Sequence, residues 1–407
     1  PILQANLGLC HDFMAVGTPL DCKNLQKWCA GYGQRTNCLL HTLPQRGFCP
    51  CGMMDSYDQA PANLPMSHTL TPNTPLKPKP PRPVNLALQG GGSHGAFTWG
   101  VLDGLLQDDR IQIEGMSGAS AGAVNAVALA HGLATASQQA PKGGDAPDGR
   151  EAARASLRRI WEGIEAMGSL GSMAESISKM MLGGWHSGRV GTNFFTNAMN
   201  QWMSPYQSNP LDINPLRKLL EKEIDFEAIA RQAAPKVFVS ATQVTTGQVE
   251  IFAGKRLNLQ AIMASTCLPT VFRAAEIDGK PYWDGGFSSN PALLPLINQC
   301  HSSDIIVVQI NPLKRENAPQ TPQEIMDRVN ELTFNASLLS QMRTIDFINR
   351  LLADGRLKEG DSYRSLFLHR IDGGEALEDL PASSKMSANA AMIERLFEMG
   401  QGAAKRW

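Results

Sequence analysis

The sequence has no run of about 18 uncharged apolar residues, so it offers no helix expected to span a bilayer. It has no cluster of basic residues. Its 37 Lys and Arg are matched by 38 Asp and Glu, leaving a net charge of −1, which excludes the broad basic field that nucleic acid requires. A D-x-[DN]-x-[DN]-G calcium loop is absent, and no metal or organic cofactor is expected. The start has neither the basic residues nor the apolar core of a secretory leader. Cysteine is scarce where a core would be. Of the eight, Cys10, Cys22, Cys29, Cys38, Cys49 and Cys51 stand near the start, and only Cys267 and Cys300 lie beyond. Such a body suits a reducing compartment. The early cysteines could form a disulfide knot, but they lack the C-x2-C pairs of a zinc module.

What is present divides the chain. Residues 1–65 show little hydrophobic periodicity and are rich in Cys, Gly, Pro and Asn. Met66 reads as a natural start, with residues 1–65 as upstream sequence; the alternative is a genuine cysteine-rich extension. Residues 66–83 read as a proline-rich, solvated linker, residues 84–320 as a catalytic domain, and residues 321–407 as a helical extension packed on it. The body begins with an apolar strand, Val84 to Gln89, and a glycine run, Gly90-Gly91-Gly92-Ser93-His94-Gly95. Apolar residues at helical spacing follow (Phe97, Val101, Leu102, Leu105), then a second strand from Ile111 to Met116. Gly118-Ala119-Ser120-Ala121-Gly122 then opens an Ala-rich helix. Strand, glycine turn, helix, repeated, is the beginning of a doubly wound α/β fold.

These turns carry chemistry. G-x-S-x-G between strand and helix is the setting of an exposed nucleophilic serine, here Ser120, although a serine on such a turn can also be a plain helix cap. A glycine run opening a helix presents backbone N–H groups that can converge on developing negative charge. Asp284, in Tyr282-Trp283-Asp284-Gly285-Gly286, is a carboxylate at a strand end before a tight turn; taken alone it reads as a turn residue.

Together, Gly90-Gly91-Gly92-x-x-Gly95, Gly118-x-Ser120-x-Gly122, Ala264-Ser265-x-x-x-Pro269 and Asp284-Gly285-Gly286 resemble, in order, the four blocks of the patatin-like phospholipase family. The resemblance spans roughly residues 84–300. It implies a three-layer α/β/α sandwich on a mostly parallel sheet, and hydrolysis of fatty-acyl esters of lipids by a Ser–Asp dyad without histidine. Carried over, Ser120 is the nucleophile, Asp284 its general base, and the N–H groups of Gly90, Gly91 and Gly92 form the oxyanion hole. One departure stands out: His94 occupies a place where many members carry Arg or Lys, and a histidine there would be cationic only part of the time. The rival enzyme reading is a carboxylesterase, triacylglycerol lipase or polyester depolymerase using the same dyad; the non-enzymatic rival is a lipid-binding protein that kept the fold. The expected partner is a lipid or ester substrate met at a membrane surface, with a cytoplasmic location, in a protein of bacterial style.

Two further readings follow from the residues. His301 and His369 come after Asp284 in the chain, the order of an α/β-hydrolase triad, so they define the competing mechanism. The segment from Ile177 to Trp185, with Met180, Met181, Leu182 and a Gly-Gly pair, reads either as a mobile apolar lid or as ordinary core; Phe194 and Phe195 could extend it.

Overall fold

A computed structural model describes residues 80–139, 148–183, 204–209, 212–233, 235–360, 363–374, 377, 380, 384–385 and 388–407. The chain divides after residue 75 into two units, and the described residues all belong to the second, Leu76–Trp407. The cysteine-rich segment and most of the expected linker therefore lie outside the described residues.

The second unit is built on an eight-stranded mixed sheet. Strand β1 (Arg82–Leu88) leads to helix α1 (Gly95–Leu106), and β2 (Ile111–Gly118) to α2 (Ala121–Gln139). Helix α3 (Gly149–Gly183) follows, then α4 (Pro205–Ser208), α5 (Pro215–Glu223) and α6 (Phe226–Arg231). Next come β3 (Lys236–Gln243), β4 (Val249–Ala253), α7 (Leu259–Ser265), β5 (Ala275–Ile277) and β6 (Lys280–Asp284). The unit closes with α8 (Leu294–Gln299), β7 (Asp304–Gln309), α9 (Pro322–Ala353), β8 (Phe367–Asp372) and α10 (Ala390–Arg406). The order across the sheet is β5-β6-β3-β2-β1-β7-β8, with β4 paired to β3. Strands β3, β2, β1, β7 and β8 run parallel, while β4, β5 and β6 form an antiparallel margin.

Alternation along the central strands separates two cores. Val84, Leu86 and Leu88 of β1, with Ile306 and Val308 of β7, face one layer containing α1, α2, α3 and α10. Ala87, Ile305 and Val307 face the other, where Leu293 and Leu296 near α8 and Leu338 and Ile345 of α9 close over them. Successive strand side chains point to opposite faces, so a strand apolar on both parities must lie between two layers. The result is an α/β/α sandwich.

The C-terminal region is helical with one exception. Strand β8 extends the sheet beside β7, and α10 returns to pack along α1. That helix pair is unusually close. A Cβ on Gly100 would collide with the Phe397 carbonyl, and one on Gly400 with the Phe97 carbonyl. Helices α5 and α6 follow one another with a single break between them. Ile224 is extended, and the Asp225 carboxylate accepts the Ala228 N–H at 2.9 Å, so the capping residue restarts the helix.

Candidate active site

Strand β2 ends at Gly118 and α2 starts at Ala121, so Ser120 stands on the turn between them at the C-terminal edge of the parallel strands. Its φ is +53°, an uncommon conformation for a residue with a side chain and the mark of a strained turn. The turn is held from several sides. Ser120 N–H donates to Ser265 Oγ at 3.0 Å, and Gly122 N–H to Ala119 O at 2.8 Å. A Cβ on Gly122 would run into the Leu88 carbonyl, so β1 and the turn meet only because that residue is glycine. Ser265 belongs to the third sequence block, which thus acts on the backbone of the serine.

The glycine run after β1 lies directly against this serine. A Cβ on Gly90 would sit 2.7 Å from Ser120 Cβ. The expectation that Gly90, Gly91 and Gly92 all present free N–H groups needs correction at Gly90. Its N–H donates to Asn290 Oδ1 at 2.6 Å. Its carbonyl accepts Asn311 Nδ2 at 2.8 Å and Asn290 Nδ2 at 3.2 Å. The peptide following Gly90 is clamped with its carbonyl toward the amides, and across a trans peptide the Gly91 N–H points the opposite way. No hydrogen bond engages the Gly91 or Gly92 N–H among the described residues. Gln89 secures the base of the loop: its Oε1 accepts Ile310 N–H at 2.9 Å and Asn311 N–H at 2.8 Å, and its Nε2 donates to Asn335 Oδ1 at 2.8 Å.

Asp284 closes β6 opposite Ala241 and is fully buried. Its Oδ1 accepts the Gly286 N–H at 2.7 Å; Oδ2 has no well-aligned hydrogen bond. Burial pushes the carboxyl up to about 7, opposed by the Ser120 hydroxyl and the Gly286 N–H, and no cation holds it down. The structure therefore brings Ser120, Asp284 and the glycine loop together. The serine–carboxylate contact is loose rather than tight, as resting sites often are.

The histidines are elsewhere. His301 is an exposed residue whose Nδ1 lies 3.0 Å from Glu114 Oε1, near the start of β2. His369 Nε2 lies 2.8 Å from Asp304 Oδ1, and its ring packs edge-on to Trp407. His94 is close to the loop, but burial and the neighbouring Lys385 lower it to about 4, so it is neutral near pH 7. Its Nε2 meets Ser384 Oγ at 2.7 Å, while Nδ1 is buried without a partner. The partly cationic histidine expected from the sequence is thus corrected; among the described residues, a cation does lie beside the glycine loop, at Lys385. Sequence reasoning missed Lys385, Asn311 and Asn290. Asn290 follows Asp284 closely and was visible as a polar residue near a motif. Nothing local marks the other two.

Helix α3 runs to Gly183, with side chains described only as far as Gly168. The expected lid from Ile177 to Trp185, and Phe194 and Phe195, therefore lie outside the described side chains. Among the described residues, no group of His, Cys, Asp or Glu gathers as a metal site, and no helix is long and apolar enough to cross a membrane.

The family model for patatin-like phospholipase matches residues 86–297, which contain the glycine loop, Ser120, Ser265 and Asp284. The chain belongs to the patatin-like phospholipase family. Among solved structures it is similar to VipD from Legionella pneumophila, at 16% identity and a TM-score of 0.35, covering 80% of this chain. The match spans 66% of the VipD chain. No curated protein sequence matches.

Proposed function

We propose that this protein is a serine hydrolase that cleaves fatty-acyl esters of lipids through an acyl-enzyme. The observation that carries the reading is a fully buried carboxyl beside the Ser120 hydroxyl, with one oxygen bonded to a backbone N–H and the other without a well-aligned donor. A serine hydroxyl is a weak nucleophile and needs a base. An ordinary Asp is too weak, but one raised to about 7 is matched to proton transfer near neutral pH. Ser120 Oγ attacks the acyl carbonyl as Asp284 takes its proton. The oxyanion then forms against the Gly91 and Gly92 N–H groups, and Asp284 returns the proton to the leaving alcohol. Asp284 next takes a proton from water as it attacks the acyl-enzyme; collapse breaks the Ser120 Oγ–acyl bond, releases the fatty acid, and Asp284 returns the proton to Ser120 Oγ. The patatin-like family supports lipid as the acyl source, met by a peripheral protein at a lipid surface.

Labelling with a fluorophosphonate followed by peptide mapping tests the reading: modification should fall on Ser120, and Ser120→Ala should lose both labelling and ester hydrolysis. A well-folded Ser120→Ala protein that keeps more than a few per cent of wild-type turnover would overturn it. Because the base must be ionised, kcat/KM should rise with pH through about 7, the value to which burial raises Asp284. Phospholipid, triacylglycerol and short and long p-nitrophenyl esters, compared by kcat/KM, separate the phospholipase from the general esterase or lipase.

A further inference from the structure

The glycine loop is held by residues from well beyond the family-matched segment. Lys385 is the informative one. Its backbone presses on Gly92, where a Cβ would meet the Lys385 carbonyl, and Ser93 Oγ lies 3.1 Å from the same oxygen. Its Nζ reaches inward to donate to Asn311 Oδ1 at 2.5 Å, and Asn311 Nδ2 donates to Gly90 O at 2.8 Å. An ammonium, an amide and a peptide thus stand in series, ending at the Gly91 N–H. Each hydrogen bond polarises the next in a low-dielectric interior, so a charge at one end strengthens the donor at the other. Among the described residues, no carboxylate forms an ion pair with this ammonium. Glu331, which attracts it, is already bridged by Arg315 and by Arg328 at 3.0 Å.

We infer that Lys385 is a positioning residue of the oxyanion hole, acting through Asn311 to fix and polarise the peptide between Gly90 and Gly91. This inference rests on the reading of Ser120 as nucleophile. It concerns the charge as well as the shape of the side chain, and the two separate experimentally. Burial lowers the Lys385 ammonium to about 8, with Glu331 and Asp327 of α9 raising it and Arg315 lowering it; His94, a further titratable neighbour among the described residues, is neutral there. Above that pH the relay loses its charge, and turnover should fall.

The test is hydrolysis of p-nitrophenyl butyrate from pH 5 to 9.5 by wild type, Lys385→Met and Lys385→Arg, each checked for folding by circular dichroism, with Ser120→Ala alongside. Lys385→Met should lose about tenfold in kcat with KM within twofold, because the relay acts on the transition state. Its alkaline limb should disappear, while the rise through pH 7 remains. Lys385→Arg should retain most of the turnover, and its alkaline limb should move above pH 9, since a guanidinium stays charged. A folded Lys385→Met protein with kcat within twofold of wild type overturns the inference. So does a Lys385→Arg protein with the wild-type alkaline limb, which decides the matter if Lys385→Met fails to fold. An active Ser120→Ala protein would instead sink the hydrolase reading on which the inference rests.

Discussion

At the scale of single residues, the site depends on placing a carboxylate where it is costly. Asp284 is fully buried, with one well-aligned backbone donor and no cation. Most buried carboxylates are neutralised by a partner; this one has no cation beside it, as the proposed role of base requires. Asp284→Asn should therefore cost nearly as much kcat/KM as Ser120→Ala, since the amide cannot accept the serine proton. His301→Ala and His369→Ala should each stay within about threefold of wild type, because those rings meet Glu114 and Asp304 rather than the serine. The measurement is kcat/KM on a soluble ester for the four purified variants. Near-complete loss in either folded histidine variant would move the mechanism to a Ser–acid–His triad.

At the scale of elements, the pairing of α1 with α10 ties the C-terminal region to the helix opened by the glycine loop. Two glycines in α10 give opposite expectations. Gly→Ala inside a helix ordinarily stabilises by up to about 1 kcal/mol. At Gly402 the new Cβ would meet only the Arg406 Nη1 at 3.4 Å, the end of a flexible side chain, so Gly402→Ala should raise Tm slightly. At Gly400 it would strike the Phe97 carbonyl and the Gly100 Cα, both backbone, and the collision should outweigh propensity. Gly400→Ala should destabilise by about 2–3 kcal/mol, read by urea unfolding. Equal effects at the two positions would mean that α10 is not seated on α1 as described. Helix α9 acts at the site in a similar way. Its Phe334 ring fills the space where Gly286 lacks a side chain and stacks edge-on with Phe287, bracing the turn that donates to Asp284.

For the whole molecule, the buried carboxyl of Asp284 links the proposed chemistry to stability. The native carboxyl is raised to about 7 from an ordinary 3.8, so between those values the native state binds a proton that the unfolded chain has released. Stability from this group is full below about pH 4 and is lost as pH rises through 7. At pH 8 the charged Asp284 should cost the fold roughly 2–4 kcal/mol. Asp284→Asn, neutral and of similar shape, should therefore be more stable than wild type at pH 8, with the difference vanishing toward pH 4. Chemical denaturation of both proteins at the two pH values is the check. Equal stability at pH 8 would mean that the carboxyl is solvated in solution.

The sequence by itself determined the strand–glycine turn–helix repeat, because apolar periodicity and glycine punctuation are local signals. The position of Ser120 between β2 and α2 followed from the same signals, whereas Asp284 taken alone read as a turn residue and was tied to the serine only by the family resemblance. What only the tertiary structure decided is direction and burial. Which way each peptide of the glycine run faces depends on Asn290 and Asn311, so no reading of Gly90-Gly91-Gly92 could tell that the first N–H is already taken. The ionisation of His94 depends on how much water the fold leaves around it and on a lysine that returns only near the C-terminus. Residues 321–407 were expected to be helical, and the place of strand β8 beside β7 was not visible in the sequence, since sheet neighbours are chosen by packing between distant segments. A sequence fixes which groups are available at each turn; the electrostatics of those groups belong to the fold, because they depend on what lies opposite and on the exclusion of water.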